Sequence, residues 1–260
     1  MKTKSAKPIG LIGNDAEAAV IAARLAHDGW RVLHHISGAT ASPGRAPNLE
    51  AAATPADIAI DCAIVLIAID DTALVRKILF GTPEKMGLLH EMTPGAVLID
   101  LGLRRPRETQ ALLGITGTRG IAIVDAALVG TLQATATGTS VVLLGGYPDS
   151  VEIAEPVLAS LGRVERTGPL GSAQTAAALM GYVEVAHNTA RSEALTLGAA
   201  LGLSDATLTR VLQEPDEPGN VVRLQARADL VRKLADERGM TADVIDFRRT
   251  KPAVSTSESR

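Results

Sequence analysis

With 260 residues, 26 Lys+Arg against 29 Asp+Glu and a net charge of −3, the chain offers no excess of positive charge to nucleic acid. Its hydrophobic content of 46% marks a globular protein with a large core, and because only 2% is aromatic that core must be built from Ala, Val, Leu and Ile. The single cysteine, Cys62, excludes a disulfide framework, and no apolar run approaches the ~18 residues that span a bilayer. No signal-peptide core follows the basic stretch Met1–Ser5, so a cytoplasmic protein without membrane or nucleic-acid partners is expected.

In chain order, the first segment, Lys7-Pro8-Ile9-Gly10-Leu11-Ile12-Gly13-Asn14-Asp15-Ala16-Glu17-Ala18, reads as a strand, a tight turn and a helix. That is where a dinucleotide-binding fold places its phosphate loop. Of the three GxGxxG positions, Gly13 keeps the first, Ala18 takes the third and Asp15 takes the second, where a carboxylate opposes a pyrophosphate. Ala16 to His27 continues as an alanine-rich helix that stops at Asp28-Gly29. Further apolar runs follow at Val32–Ile36, Ile64–Ile69, Val97–Leu101, Ile121–Val124 and Val141–Leu144. Helical patterns lie between them at Asp71–Phe80, Pro106–Leu113 and Ser150–Leu161, and a Gly/Ala/Ser/Pro-rich loop covers residues 38 to 50. The alternation predicts a doubly wound α/β domain with a parallel sheet over residues 1–166.

Beyond Gly168-Pro169-Leu170-Gly171-Ser172 the pattern becomes helical, and residues 167–250 read as a small all-α domain. Ala173 to Gly202 contains no proline and predicts one helix about 45 Å long at ~1.5 Å per residue. The shorter helices expected at Ser204–Gln213 and Val221–Arg238, split by the breaker at 214–219, cannot cover it, so a homodimer through the helix around 173–202 is expected. Residues 251–260 read as a disordered tail.

Five short motifs follow one another along the chain: Ile69-Asp70-Asp71, Thr93-Pro94-Gly95-Ala96-Val97-Leu98-Ile99-Asp100, Val124-Asp125-Ala126-Ala127-Leu128-Val129-Gly130, Gly168-Pro169-Leu170-Gly171-Ser172-Ala173-Gln174 and Ser192-Glu193-Ala194-Leu195. In this order they resemble the 6-phosphogluconate dehydrogenase-like superfamily, in its branch of β-hydroxyacid dehydrogenases, imine reductases and phosphogluconate-dehydrogenase-like proteins. The resemblance implies a Rossmann-type domain, a long interdomain helix and a nicotinamide cofactor. It also implies that the polar chemistry has changed. Ala177 stands at the position of the proton-shuttling lysine and Gly181 at that of its helper asparagine, while Val129, Gly102 and Leu103 replace hydroxyl residues. Two functions follow as expectations. One is an NAD(P)H-dependent oxidoreductase moving hydride to or from a small C=O or C=N substrate of low polarity; the other is a catalytically inactive homologue serving as a binding or scaffold subunit.

The cofactor is expected at Gly13, Asn14, Asp15, Ser37, Arg45, Ala68, Ile69 and Asp70. NADP is favoured over NAD, because the end of the second strand lacks the usual acidic residue while Ser37, with His35 and Arg45, suits a 2′-phosphate. On the long helix, Glu184 and His187 are spaced i,i+3 and form a candidate proton donor, with a subunit-facing polar patch as the alternative. Tyr182 is a second donor candidate or an interface aromatic. Asp125 reads either as a substrate contact or as a turn carboxylate that caps backbone amides. Asp15 can N-cap the helix that opens at Ala16, which would occupy an amide a pyrophosphate needs. Arg104-Arg105-Pro106-Arg107 reads as helix-start surface charge or as an anion contact, and His34 as a buried histidine. No metal set is visible among the five histidines.

Overall fold

The structure is a computed structural model and describes residues 7–36, 46–82 and 85–212. Two compact units are present, Met1–Met180 and Gly181–Arg260. The first unit opens with β1 (Ile9–Gly13), α1 (Ala16–His27), β2 (Val32–Ile36), β3 (Leu49–Ala51), α2 (Pro55–Asp61) and β4 (Ile64–Ala68). It continues through α3 (Thr72–Phe80), a small ribbon of β5 (Gly81–Thr82) and β6 (Lys85–Met86), α4 (Leu88–Glu91), β7 (Val97–Asp100) and α5 (Pro106–Gly117). Then come β8 (Ala122–Val129), α6 (Leu132–Thr137), β9 (Ser140–Gly146), α7 (Pro148–Leu158), β10 (Gly162–Gly168) and the start of α8 (Ser172–Ala200).

Eight strands form one sheet in the order β10-β9-β8-β7-β4-β1-β2-β3. Its strands from β3 to β8 are all parallel, which needs helical crossovers and leaves both faces apolar. β1 is buried at every residue for that reason. On one face α1 and α7 close a core containing Leu11, Ile21, Leu25, Leu66, Ile99, Val142 and Leu158. The other face carries Ile12, Ile58, Val65, Ile67, Leu79, Leu88 and Leu98. Each such side chain contributes about 1.5–3 kcal/mol when fully buried. The ends of α1 and α7 are tied through Ser160, whose hydroxyl accepts from Trp30 Nε1 at 2.9 Å and donates to Asp28 Oδ2 at 2.6 Å. Arg24 Nε donates to the Ser160 carbonyl at 2.8 Å.

The architecture is thus a Rossmann-type, mostly parallel sheet, with departures from the expected elements. β9 runs antiparallel to β8, so the sheet is mixed and not wholly parallel. β10 then pairs parallel with β9, and its Arg163, Glu165 and Arg166 had concealed it from an apolar pattern. The expected loop at 38–50 ends in β3, which pairs with β2 after Asn48 takes a left-handed φ of 66°. The helix α2 was also missed, although Thr54 and Asp57 form a reciprocal capping box with proline in the first turn. The expected helix at Val221–Arg238, the breaker at 214–219 and the tail at 251–260 lie outside the described residues.

In the second unit α8 continues to Ala200 and α9 follows at Asp205–Val211. Gly202, at φ 87°, ends α8 in the left-handed turn that favours glycine, with Leu203 N bonded to the Gly198 carbonyl at 3.0 Å. Leu208 of α9 packs on Gly198, where a Cβ would overlap it. Ser204 caps α9 by accepting from Thr207 N at 3.3 Å.

Candidate functional site

The reversal of strand order around β1 places the C-terminal ends of β1 and β4 side by side, with Gly13 paired to Ala68. Ligands of open α/β sheets bind at such a switch point. A Cβ on Gly13 would overlap the Cβ of Ala18, so the glycine is what lets α1 begin so close to β1. Asp15 is the N-cap of α1: its backbone is extended and its Oδ1 accepts from Ala18 N at 3.0 Å. Glu17 follows in the first turn, and its carboxyl is raised above the usual range by partial burial and then by the negative charges of Asp15 and Asp70. Three carboxylates therefore share the site expected to receive a pyrophosphate. Asn14 lies half-buried in the same turn.

At the end of β4, Ala68 is half-buried, Ile69 buried and Asp70 exposed. Asp70 Oδ1 accepts from Leu103 N at 2.7 Å and so joins this turn to the one after β7. Asp71 caps α3 through Ala73 N at 2.8 Å and Leu74 N at 3.1 Å.

The turn after β7 is built around a buried ion pair. Arg104 Nε reaches Asp100 Oδ1 at 2.9 Å and Oδ2 at 2.7 Å, and Nη2 donates to the Ile69 carbonyl at 2.7 Å. Thr109 Oγ1 donates to Asp100 Oδ2 at 3.1 Å. Burial pushes the Asp100 carboxyl up, while the Arg104 guanidinium, the Thr109 hydroxyl and the Gly102 amide pull it down. A Cβ on Gly102 would overlap both Arg104 Nη2 and the Ile69 carbonyl oxygen. The guanidinium thus fills the space beside residue 102 where the resemblance puts a hydroxyl residue. Arg104 is no part of an exposed basic cluster; Arg105 is exposed and pairs with Glu108 at 2.6 Å. The signal missed in the sequence was the i,i+4 spacing of Asp100 and Arg104 at the end of a buried strand.

Asp125 is fully enclosed in β8. Its Oδ1 accepts from Gly171 N at 2.7 Å and its Oδ2 from Gln174 N at 3.1 Å. Each oxygen accepts from an amide at the start of α8, the capping arrangement of its second reading, and the side chain is sealed from solvent. Gln174 Nε2 donates to the Ala126 carbonyl at 3.1 Å and adds a second tie between β8 and α8. Ala177, where the resemblance implies a lysine, packs with Ala127, Leu143 and Ala173 in an apolar cluster that includes Val129 and Ala176. Farther along α8, Glu184 and His187 are exposed, as is Tyr182 at 75%. Ser37 and Arg45 lie outside the described residues. His35 Nδ1 lies 3.1 Å from the Ala52 carbonyl, while His34 is buried and both its ring nitrogens lack a partner among the described residues.

A dinucleotide is compatible with the backbone path of this edge, since Gly13 lets α1 begin close against β1 at the switch point. It is opposed in charge by Asp15, which caps α1, and by the neighbouring Glu17 and Asp70. Among the described residues, no group of three or more His, Cys, Asp or Glu can hold a metal ion. No described helix is long and apolar enough to cross a membrane.

The family model for the NAD binding domain of 6-phosphogluconate dehydrogenase matches residues 8–176. Among curated proteins, the 3-sulfolactaldehyde reductase of Escherichia coli strain K12 is 29% identical over 163 residues, which is 62% of this chain and 53% of that enzyme. The chain spans about half the length of the first curated relatives it matches. Two solved structures share the fold. An imine reductase of Myxococcus stipitatus in complex with NAD+ has a TM-score of 0.75 at 15% identity, covering 92% of this chain and 90% of that one. The 3-hydroxyisobutyrate dehydrogenase of Mycobacterium tuberculosis has a TM-score of 0.69 at 20% identity, covering 92% and 89%.

Proposed function

The chain belongs to the family of the NAD binding domain of 6-phosphogluconate dehydrogenase, and from that premise we propose that it is a nicotinamide-dependent oxidoreductase acting on a small C=O or C=N substrate of low polarity. The observation that carries this reading is the Gly13–Ala18 contact at the switch point, the close strand-to-helix packing that a dinucleotide site requires. Curated relatives named as reductases and dehydrogenases support it. Gly13, Asn14 and the first amides of α1 would hold the pyrophosphate, with Ala68, Ile69 and Asp70 beside the nicotinamide. Ser37 and Arg45 would favour NADP over NAD. When bound, the cofactor supplies or accepts the hydride.

The chain's own residues contribute an apolar surface around Ala127, Val129 and Ala177, which suits a substrate that needs little proton transfer, such as an iminium. Glu184 and His187 are the proposed proton donors. Asp125 acts as a positioning residue that fixes the start of α8. A second copy of the chain is proposed to cover α8, where Leu179, Tyr182, Val183 and Val185 are 63%, 75%, 51% and 65% exposed. A cytoplasmic location accompanies this reading.

The second reading, a non-catalytic homologue acting as a binding or scaffold subunit, is favoured by one observation: Asp15 takes the Ala18 amide. Titration calorimetry of NADPH and NADH into the purified protein separates the two. Measurable saturable binding supports the oxidoreductase and selects the cofactor, and absence of binding at millimolar concentration leaves the second reading.

A further inference from the structure

We propose that Asp15 is a built-in competitor for the cofactor's pyrophosphate, its carboxylate occupying the amide and the negative-charge position that a phosphate oxygen would take. The inference rests on the dinucleotide reading above and adds what limits binding at that site. A helix N-terminus attracts one anion through its free amides and its dipole. In α1 that anion is already part of the chain, since Asp15 Oδ1 lies 3.0 Å from Ala18 N. The bond is local, three residues apart, so it forms with the helix itself and needs no ligand.

The rest of the turn keeps the close strand-to-helix packing of a dinucleotide fold: Gly13 has no side chain and Ala18 is small enough to let α1 begin against β1. The neighbours reinforce the carboxylate's effect. Glu17 sits two residues beyond the cap, and Asp70 stands just after the adjacent strand β4, accepting from Leu103 N at 2.7 Å. A pyrophosphate approaching the turn meets Asp15 first, and must displace it from Ala18 N as well as overcome its charge. Neither obstacle involves the adenosine or nicotinamide ends, so NADH and NADPH are weakened alike.

The test compares three proteins by calorimetry with NADH and NADPH: the wild type, Asp15→Gly and Asp15→Asn. Glycine is a tolerated N-cap, so Asp15→Gly keeps α1, and far-UV circular dichroism confirms it. Removing the capping carboxylate together with its like charge is expected to tighten both cofactors at least about tenfold. Asp15→Asn keeps an acceptor for Ala18 N and removes the charge, so its gain is expected to fall between the other two. A folded Asp15→Gly protein that binds no better than a wild type which itself binds overturns this inference and leaves the oxidoreductase reading standing. Binding by Asp15→Gly alone supports the inference and removes the oxidoreductase reading from the natural chain. No binding by any of the three overturns both.

Discussion

At the end of β7, Asp100 is buried with its countercharge, while at the end of β1, Asp15 stands exposed and caps a helix. The two turns belong to one sheet and lie at its same edge, yet they use a carboxylate in opposite ways. Asp100 is neutralised by Arg104, a hydroxyl and an amide, so its charge serves the interior and is hidden from solvent. Asp15 faces solvent at the start of α1. One turn holds its charged groups inside the fold; the other presents its carboxylate to solvent.

The comparison can be broken by ranking substitutions. The largest effect is expected for Arg104→Met, which leaves Asp100 buried without its cation and should cost about 3–5 kcal/mol in urea unfolding. A loss below about 1 kcal/mol would mean that Asp100 is solvated and that the contrast is wrong.

Next comes the pH dependence of His34, a buried group with no compensating partner among the described residues. Burial pushes its imidazole from 6.5 down to about 4, with the neighbouring His35 adding to the shift. Between those values the unfolded chain takes up a proton that the fold refuses. Stability is therefore complete above pH 6.5 and falls as the pH drops towards 4, by up to about 3 kcal/mol. His34→Leu should flatten that part of the stability–pH curve; an unchanged slope would place the origin elsewhere.

Asp125→Asn should cost about 1–3 kcal/mol, because one buried oxygen that serves an amide is replaced by a donor. Asp15→Ala should cost about 1 kcal/mol, the usual loss of a helix cap. If it costs as much as Arg104→Met, the exposed turn is not merely local. Smallest of all, Glu184→Gln with His187→Ala should change stability by less than about 0.5 kcal/mol, since both are exposed. Unchanged turnover of an identified substrate in that double variant would remove both from the mechanism.

The strands β1, β2, β4 and β7 were readable because parallel strands buried on both faces leave unbroken apolar runs, as in Ile64 to Ala68, whereas the short edge strand β3 was not. The capping role of Asp15 was readable too, since an aspartate before an alanine-rich helix has one favoured partner, an amide two or three residues on. β10 was hidden because Arg163, Glu165 and Arg166 break up its apolar run. Strand direction was hidden as well: nothing in Ser140 to Gly146 states that β9 runs against β8. The Asp100–Arg104 pair escaped for a third reason. Arginine reads as a surface residue, and only the packing of β4, β7 and α5 shows that Arg104 finds a carbonyl and a carboxylate indoors, with its Nη1 left without a partner among the described residues.

That pair also limits how the turn can change. A side chain at residue 102 collides with the Arg104 guanidinium and with the Ile69 carbonyl that the guanidinium holds. Gly102→Ser on its own therefore has nowhere to place its Cβ, and Arg104→Ile on its own strands a buried carboxylate. Clearing the guanidinium alone does not admit a side chain at residue 102, because the Ile69 carbonyl is backbone and must move as well. A hydroxyl at this turn therefore demands a new path for the connection between β4 and α3, not only new side chains.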